Sequence, residues 1–332
     1  MVRLALIGTG RMGLIRMRCM QSLPGVTVSH VIDSNADQAG RLATQWGVNH
    51  VASTIEEATS LGDIDGFVIS TPTGSHMSII KDIAKHAPGK GIFTEKPVAD
   101  NPTDIEKAFQ IAKDGGNQIC CSFQRRFDQT YVTAADAVTT GALGKVHNVN
   151  VIFGDHPCPP IEFLVDGGDI FMDLAPHDLD YVFNALSDTA SSVYATGCSS
   201  DPVLQEKGVL DNALMVVNMK KGAVVTMQMS RSAVFGYDQR CEFFGTSGSA
   251  AVTNPKEHDA VIRSIEGSKT ARFSHSFPER FDVAFKKELE TFKGVILGKG
   301  TWPVSEEECK VVQSVADAAR RSYEEGRVVN IE

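Results

Sequence analysis

A chain of 332 residues exceeds one ordinary folding unit and predicts two domains, each able to bury a core without disulfide staples. With 42% hydrophobic and 22% charged residues and no low-complexity tract, it reads as globular rather than disordered. A formal net charge of -9 argues against nucleic acid or an anionic membrane surface as partner, since both are attracted to basic faces.

Seven scattered cysteines without C-x-x-C spacing point to a reducing, cytoplasmic setting and to no metal site. No stretch approaches the roughly 18 apolar residues of a membrane span, and the first apolar run is too short for a secretory signal.

The chain opens on "VRLALIGTGRMG": a short apolar strand, then Gly8, Gly10 and Gly13 in G-x-G-x-x-G spacing, then a helix over 14–22. A second strand, 26–32, ends on Asp33. In a dinucleotide-binding unit such glycines, here with Arg11 and Met12 between them, let a pyrophosphate approach a helix N-terminus, and the strand-end acid takes the ribose hydroxyls. NAD is expected over NADP, because Asp33 repels a 2′-phosphate and Ser34 and Asn35 supply no cation.

Strands at 65–70, 91–94 and 118–123 alternate with helical stretches, one opening on Asn101 as N-cap with Pro102 at the first helical position. The alternation predicts an α/β Rossmann domain over 1–123, a parallel sheet with helices on both faces. Ligands bind at the carboxyl ends of such strands. "STPTGSH" therefore places Thr71, Pro72 and Thr73 beside the nicotinamide half of the cofactor, with His76 next to them, and "TEKPV" directs Glu95 and Lys96 into the same crevice; Gln124 follows the last strand. An isolated lysine or histidine at such a place is more often a surface group. Pro97 fixes a turn after Lys96, and a cis bond there would aim the lysine.

Beyond residue 123 the rhythm changes. Residues 124–332 predict an α+β substrate-binding and oligomerisation domain with an open, predominantly antiparallel sheet, several strands being joined as hairpins at turns such as "KKG" and "TSG". Its C-terminal helix has the option of packing back on the first domain. Arg125 and Arg126 open the domain, either to clamp substrate hydroxyls or to pair with acids. Phe281, Phe285, Leu289 and Phe292 recur at a helical period, and a last helix opens with a Ser305–Glu308 capping box and buries Val311, Val312, Val315 and Ala319.

"GGDIFMDLAPHDLDYVFNAL" sets Asp173 and His177 four residues apart, on one face of a helix. Pro176 is tolerated only in a first helical turn, so Asp173 is expected to be the N-cap. A capped helix with a first-turn histidine and an acid–base pair are both open, and the spacing alone favours the cap.

Together "GTGRMG", "STPTGSH", "TEKPV", "SFQRRFD" and "GGDIFMDLAPHDLDYV" resemble, in order and spacing, the Gfo/Idh/MocA family of glucose–fructose oxidoreductase, inositol dehydrogenase and rhizopine catabolism proteins. The likeness covers essentially the whole chain, and the outline is most similar to that of inositol 2-dehydrogenases. It implies NAD, a small polyol or sugar substrate, and homo-oligomers, tetramers or dimers, formed through the sheet. It also implies a catalytic lysine, aspartate and histidine at Lys96, Asp173 and His177, with Arg126, His156 and Tyr237 toward the substrate.

The reaction so implied is oxidation of a secondary ring alcohol of a cyclitol. An aldose, amino sugar or sugar phosphate as substrate, and a non-catalytic NAD-binding regulator, are the competing readings. Asp178 and Asp180 read as structural or solvated.

Overall fold

The computed structural model describes residues 1–331, apart from the Asp166 side chain. They form two compact units, one of residues 1–127 and 283–313, the other of residues 128–282 with the chain from Ser314.

The first unit is built on a six-stranded parallel sheet of β1 (Val2–Ile7), β2 (Val26–Ile32), β3 (His50–Ala52), β4 (Gly66–Ile69), β5 (Gly91–Thr94) and β6 (Gln118–Cys121), in the order β3-β2-β1-β4-β5-β6. Leu4, Leu6, Phe67, Val68 and Phe93 are fully buried, as continuous apolar strands covered on both faces must be. Between the strands run α1 (Arg11–Gln21), α2 (Ala36–Trp46), α3 (Ile55–Leu61), α4 (His76–His86) and α5 (Pro102–Asp114). Asn101 caps α5 through the Asp104 amide, and Pro102 sits in its first turn. Strand order reverses between β1 and β4, and the crevice outside their carboxyl ends is where such sheets bind ligands.

The second unit opens with α6 (Gln129–Thr139) and β7 (Val146–Gly154), followed by three short helices, α7 (Ile161–Gly167), α8 (Ile170–Asp173) and α9 (Ala175–Leu186). β8 (Ala190–Cys198), α10 (Pro202–Lys207), β9 (Asn212–Met219), β10 (Val224–Ser230), β11 (Asp238–Gly245) and β12 (Ser249–Val252) come next. An exposed hairpin of β13 (Val261–Ser264) and β14 (Gly267–Thr270), the turn-length helix α11 (Phe277–Arg280) and, near the C-terminus, β15 (Val329–Asn330) complete it.

Seven of these strands form one sheet in the order β12-β11-β7-β10-β9-β8-β15. The turns at "KKG" and "TSG" do make antiparallel hairpins, β9 with β10 and β11 with β12. β7 and β10 are the parallel pair in this otherwise antiparallel sheet. Val149, Val151, Phe153, Met215, Val217, Val225, Met227 and Met229 form its buried face, while Tyr194 and Leu214 are among the exposed side chains of the other.

Two expectations about helices change. Asp173 is not an N-cap: it is the last residue of α8, and Asp169 caps that helix by accepting from the Phe171 and Met172 amides. Leu174 then adopts an αR backbone and α9 starts beyond it, so Pro176 falls in a first turn, as proline requires. Phe281 does not share a helix with Phe285 either. It sits between α11 and α12 (Asp282–Ile296) and packs in the second unit against Tyr131 and Tyr237.

Phe285, Leu289 and Phe292 of α12 do lie in the core of the first unit. Gly66 and Gly91, paired across β4 and β5, make the room: a Cβ at Gly66 would lie 2.7 Å from Ile296 Cδ1 and 3.0 Å from the Phe292 ring. Helix α13 (Glu306–Glu325) begins with the expected capping box, the Glu308 amide donating to Ser305 Oγ and the Ser305 amide to Glu308 Oε2. Val312, Val315 and Ala319 are buried, Val311 half-buried.

Candidate functional site

The three glycines after β1 serve different ends. Gly8 has φ +92°, and a Cβ there would come within 2.9 Å of the Ser70 backbone. A Cβ on Gly13 would stand 2.1 Å from the Gly8 carbonyl oxygen, so only glycine lets α1 seat against the turn. Gly10 meets nothing within 4 Å, and as N-cap of α1 it supplies no side-chain acceptor. The glycine turn thus runs straight into the N-terminus of α1, at Arg11 and Met12, and helix N-termini are where backbone amides are left to meet an anion.

At the end of β2, Asp33 is held as an acceptor. Its Oδ2 takes the Thr9 amide at 2.8 Å and the Thr9 hydroxyl at 2.6 Å, and its Oδ1 takes the Asn35 amide at 2.9 Å. Partial burial pushes this carboxyl up, but the hydrogen bonds from Thr9 and Asn35 outweigh it and hold Asp33 below the usual range. A shallow groove of 480 Å³ beside it is lined by Ser34, Asn35, Ala36 and Asp37, with no cation to receive a 2′-phosphate.

The segments after β4 and β5 are joined by His76. It is buried, with Nδ1 2.9 Å from the Pro97 carbonyl oxygen and Nε2 3.0 Å from that of Thr71. Each ring nitrogen lies against a backbone oxygen of a different loop, which makes His76 a strut between the two loops instead of the cofactor contact expected of it. Thr71, Pro72 and Thr73 stay partly or fully exposed at the strand end. The Lys96–Pro97 bond is cis, as the sequence allowed. Lys96 is half-buried, while its neighbour Glu95, expected against the cofactor, has Oε1 on Arg16 Nε at 2.6 Å.

Gln124 and Arg125 are buried in a 3-10 turn, Gln124–Phe127, after β6. Arg126 from the same turn donates to Glu308 at 2.9 Å and to the Pro303 carbonyl oxygen at 2.7 Å, the acid-pairing reading of the two left open for it.

In the second unit an arginine holds Asp173, one member of the predicted pair. The parallel ladder sets Gly154 of β7 opposite Ser230 of β10, so the residues just beyond, Asp155 and Arg231, emerge side by side. Arg231 is 1% exposed; its Nη1 donates to Asp173 Oδ2 at 2.8 Å and lies 3.7 Å from Asp155 Oδ2, and its Nη2 donates to the Gly168 carbonyl oxygen at 2.9 Å. It thereby ties Asp173 to the glycine pair that precedes α8. The Asp173 side chain keeps 35% of its surface exposed, so it is fixed yet open.

His177 stands in the first turn of α9, half-buried, its ring 6.2 Å from that of Phe153. Tyr237 packs edge-on against the same phenylalanine at 6.0 Å, which brings His177 and Tyr237 around one aromatic anchor. His156 follows Asp155 and stacks edge-on with His275 at 5.0 Å. Asp178 and Asp180 are buried, which excludes a solvated role for either.

Sequence reasoning missed Arg231. Its signal was a lone cation closing the alternating strand "VVTMQMSR", with acids at 155 and 173 in need of a counter-charge.

Residues 2–123 match the model of an oxidoreductase family with an NAD-binding Rossmann fold, and residues 131–251 match the GFO/IDH/MocA C-terminal domain. The chain belongs to the GFO/IDH/MocA family. It is an NAD-dependent dehydrogenase, and the glycine turn and the Asp33 acceptor described above suit that cofactor.

The chain is 29% identical to a myo-inositol 2-dehydrogenase of Thermotoga maritima, over 100% of this chain and 99% of that one. It is also 29% identical to a scyllo-inositol 2-dehydrogenase (NAD(+)) of Bacillus subtilis, over 100% and 96%. The crystal structure of a myo-inositol dehydrogenase from Corynebacterium glutamicum superposes with a TM-score of 0.90 at 28% identity, covering 100% of this chain and 99% of the other.

Proposed function

We propose that this dehydrogenase oxidises a secondary ring hydroxyl of a cyclitol, myo-inositol or a stereoisomer, to the ketone. NAD, when bound, accepts the hydride. His177 takes the hydroxyl proton, imidazole being the side chain suited to proton transfer near neutrality. Asp173 orients that imidazole and stabilises its cation, and Lys96 donates a hydrogen bond to the substrate oxygen as negative charge develops on it. Tyr237 and His156 shape the substrate's surroundings. Gly8, Gly10, Gly13, Arg11, Met12, Asp33, Ser34, Thr71, Pro72, Thr73 and Gln124 are the proposed cofactor contacts.

The observation that carries this reading is the fixture of Asp173 by Arg231, one turn before His177. A carboxylate locked by a buried guanidinium yet still open on one side is arranged to steer a neighbour, and a regulator that only binds NAD has no use for it. The cyclitol is favoured by the relatives at 28 to 29% identity, which are inositol dehydrogenases. We further propose a cytoplasmic homo-oligomer joined through the exposed sheet face that carries Tyr194 and Leu214. Among the described residues no helix is long and apolar enough to cross a membrane.

The test is NADH formation on adding a panel of inositol isomers, aldoses and sugar phosphates. An inositol should give the highest kcat/KM, and NAD should outperform NADP; tight NAD binding with no turnover of any inositol would overturn the reading. His177→Ala should lower kcat by roughly two to four orders of magnitude.

A further inference from the structure

Four polar residues distant in sequence meet inside the first unit, beneath the segment that carries Lys96. Arg16 of α1 is wholly buried, its guanidinium 4.6 Å from the Phe93 ring centroid and 4.7 Å from that of Phe285. Its Nε donates to Glu95 Oε1 at 2.6 Å, its Nη1 to Glu288 Oε2 at 2.8 Å and its Nη2 to Ser122 Oγ at 2.8 Å. The Ser122 hydroxyl then donates to Glu288 Oε1, also at 2.8 Å. A planar fork with all three nitrogens engaged and two aromatic rings close by has little freedom to turn.

Stability does not explain this cluster. Two carboxylates sharing one buried cation are expensive to desolvate, and well-packed apolar groups of equal volume are often as stable or more so. Burial, with Glu95 as the competing acid, pushes the Glu288 carboxyl up to about 7 despite the guanidinium beside it.

We propose that Arg16 and Glu288 are positioning residues for Lys96. Glu288 and Ser122 fix the guanidinium, the guanidinium fixes Glu95, and Glu95 fixes the backbone from which the adjoining lysine projects. The inference rests on the reading of Lys96 as the donor to the substrate oxygen. It gives α12, far along the chain from Lys96, a part in the reaction.

The test is a double-mutant cycle with the enzyme turning over whichever inositol isomer gives the highest kcat/KM. Glu288→Ala should lower kcat roughly 10- to 100-fold, the scale of a small misplacement of a catalytic group, with KM for NAD and inositol near the wild-type values. Glu288→Gln, which keeps the shape and an acceptor for Arg16, should recover most of the loss. In a Lys96→Ala background Glu288→Ala should lower kcat no further, because the effect runs through the lysine. Tryptophan-monitored NAD titration checks that each variant is folded.

Undiminished kcat in folded Glu288→Ala, or losses that simply add, would overturn the proposal. A Lys96→Ala enzyme with full turnover overturns instead the role given to that lysine. A second readout then still decides the positioning: after reductive 13C-methylation, the Lys96 resonance, assigned by its loss in Lys96→Arg, should move in Glu288→Ala. An unmoved resonance counts against it.

Discussion

Arg231 gathers at one position contacts from three parts of the second unit. Its two outer nitrogens hold Asp173 and the Gly168 carbonyl oxygen, and its backbone amide donates to the Asp211 carbonyl oxygen at 2.8 Å, so the side chain is anchored at its root as well as its tip. Arg231→Leu keeps much of the volume and abandons two acids. Losing one partner of a buried ion pair costs about 3–5 kcal/mol, and the low end is expected because Asp173 is partly solvated. Chemical denaturation should report that loss, and kcat should fall about 10- to 100-fold as Asp173 loses its orientation. Arg231→Lys should restore stability better than turnover, since an ammonium is a point charge without the fork. Equal recovery of both would mean that a point charge at this position is enough and the fork is not needed.

At the scale of elements, the notch in β4 and β5 shows what local pattern can and cannot tell. Gly66→Ala or Gly91→Ala would press a Cβ to within 3.0 Å of Ile296 or Phe292, an overpacking worth about 1–3 kcal/mol, less where the flexible end of Ile296 gives way. Thermal unfolding should show both as destabilised, and a Phe292→Leu partner change should relieve much of it. The strands, the glycine turn, the α5 cap and the Ser305 box were legible because each is set by residues a few positions apart. The reason for glycine at 66 and 91 was not, since the clash arises from a helix more than 200 residues away. The parallel pairing of β7 with β10, and with it the meeting of Asp155 and Arg231, was hidden for the same cause. Asp173 was misplaced as a cap because a second acid, Asp169, does that work four residues earlier, and Pro176, with no amide to continue the ladder, opens a second helix after Leu174. Lys96, His177 and Asp173 could be picked out as types of chemistry; what holds them could not.

For the molecule as a whole, two buried groups in the first unit give stability opposite slopes with pH. His30 of β2 stacks on His50 of β3 at 4.7 Å, and burial, reinforced by the second imidazole, pushes its pKa down to about 4. The fold therefore resists protonating it. Its stabilising share is complete above the ordinary histidine value of about 6.5 and is lost as pH falls from there toward 4. Glu288 runs the other way, because its folded carboxyl, pushed up to about 7, holds a proton more tightly than the unfolded chain does. Its share is complete below about 4.5 and is lost as pH rises through 7. Measured as the difference in Tm from wild type, Glu288→Gln should gain ground as pH rises from about 4.5 to 7 and level off beyond. His30→Leu should show its most favourable difference near pH 4 and lose it by about 6.5. A difference that stays flat between pH 4 and 7 would mean that its group ionises in the fold as it does in water. If Glu288→Gln proves the more stable enzyme above pH 7, then a carboxylate beside Arg16 is kept at a loss to the fold, which is what a residue serving the position of Lys96 should look like.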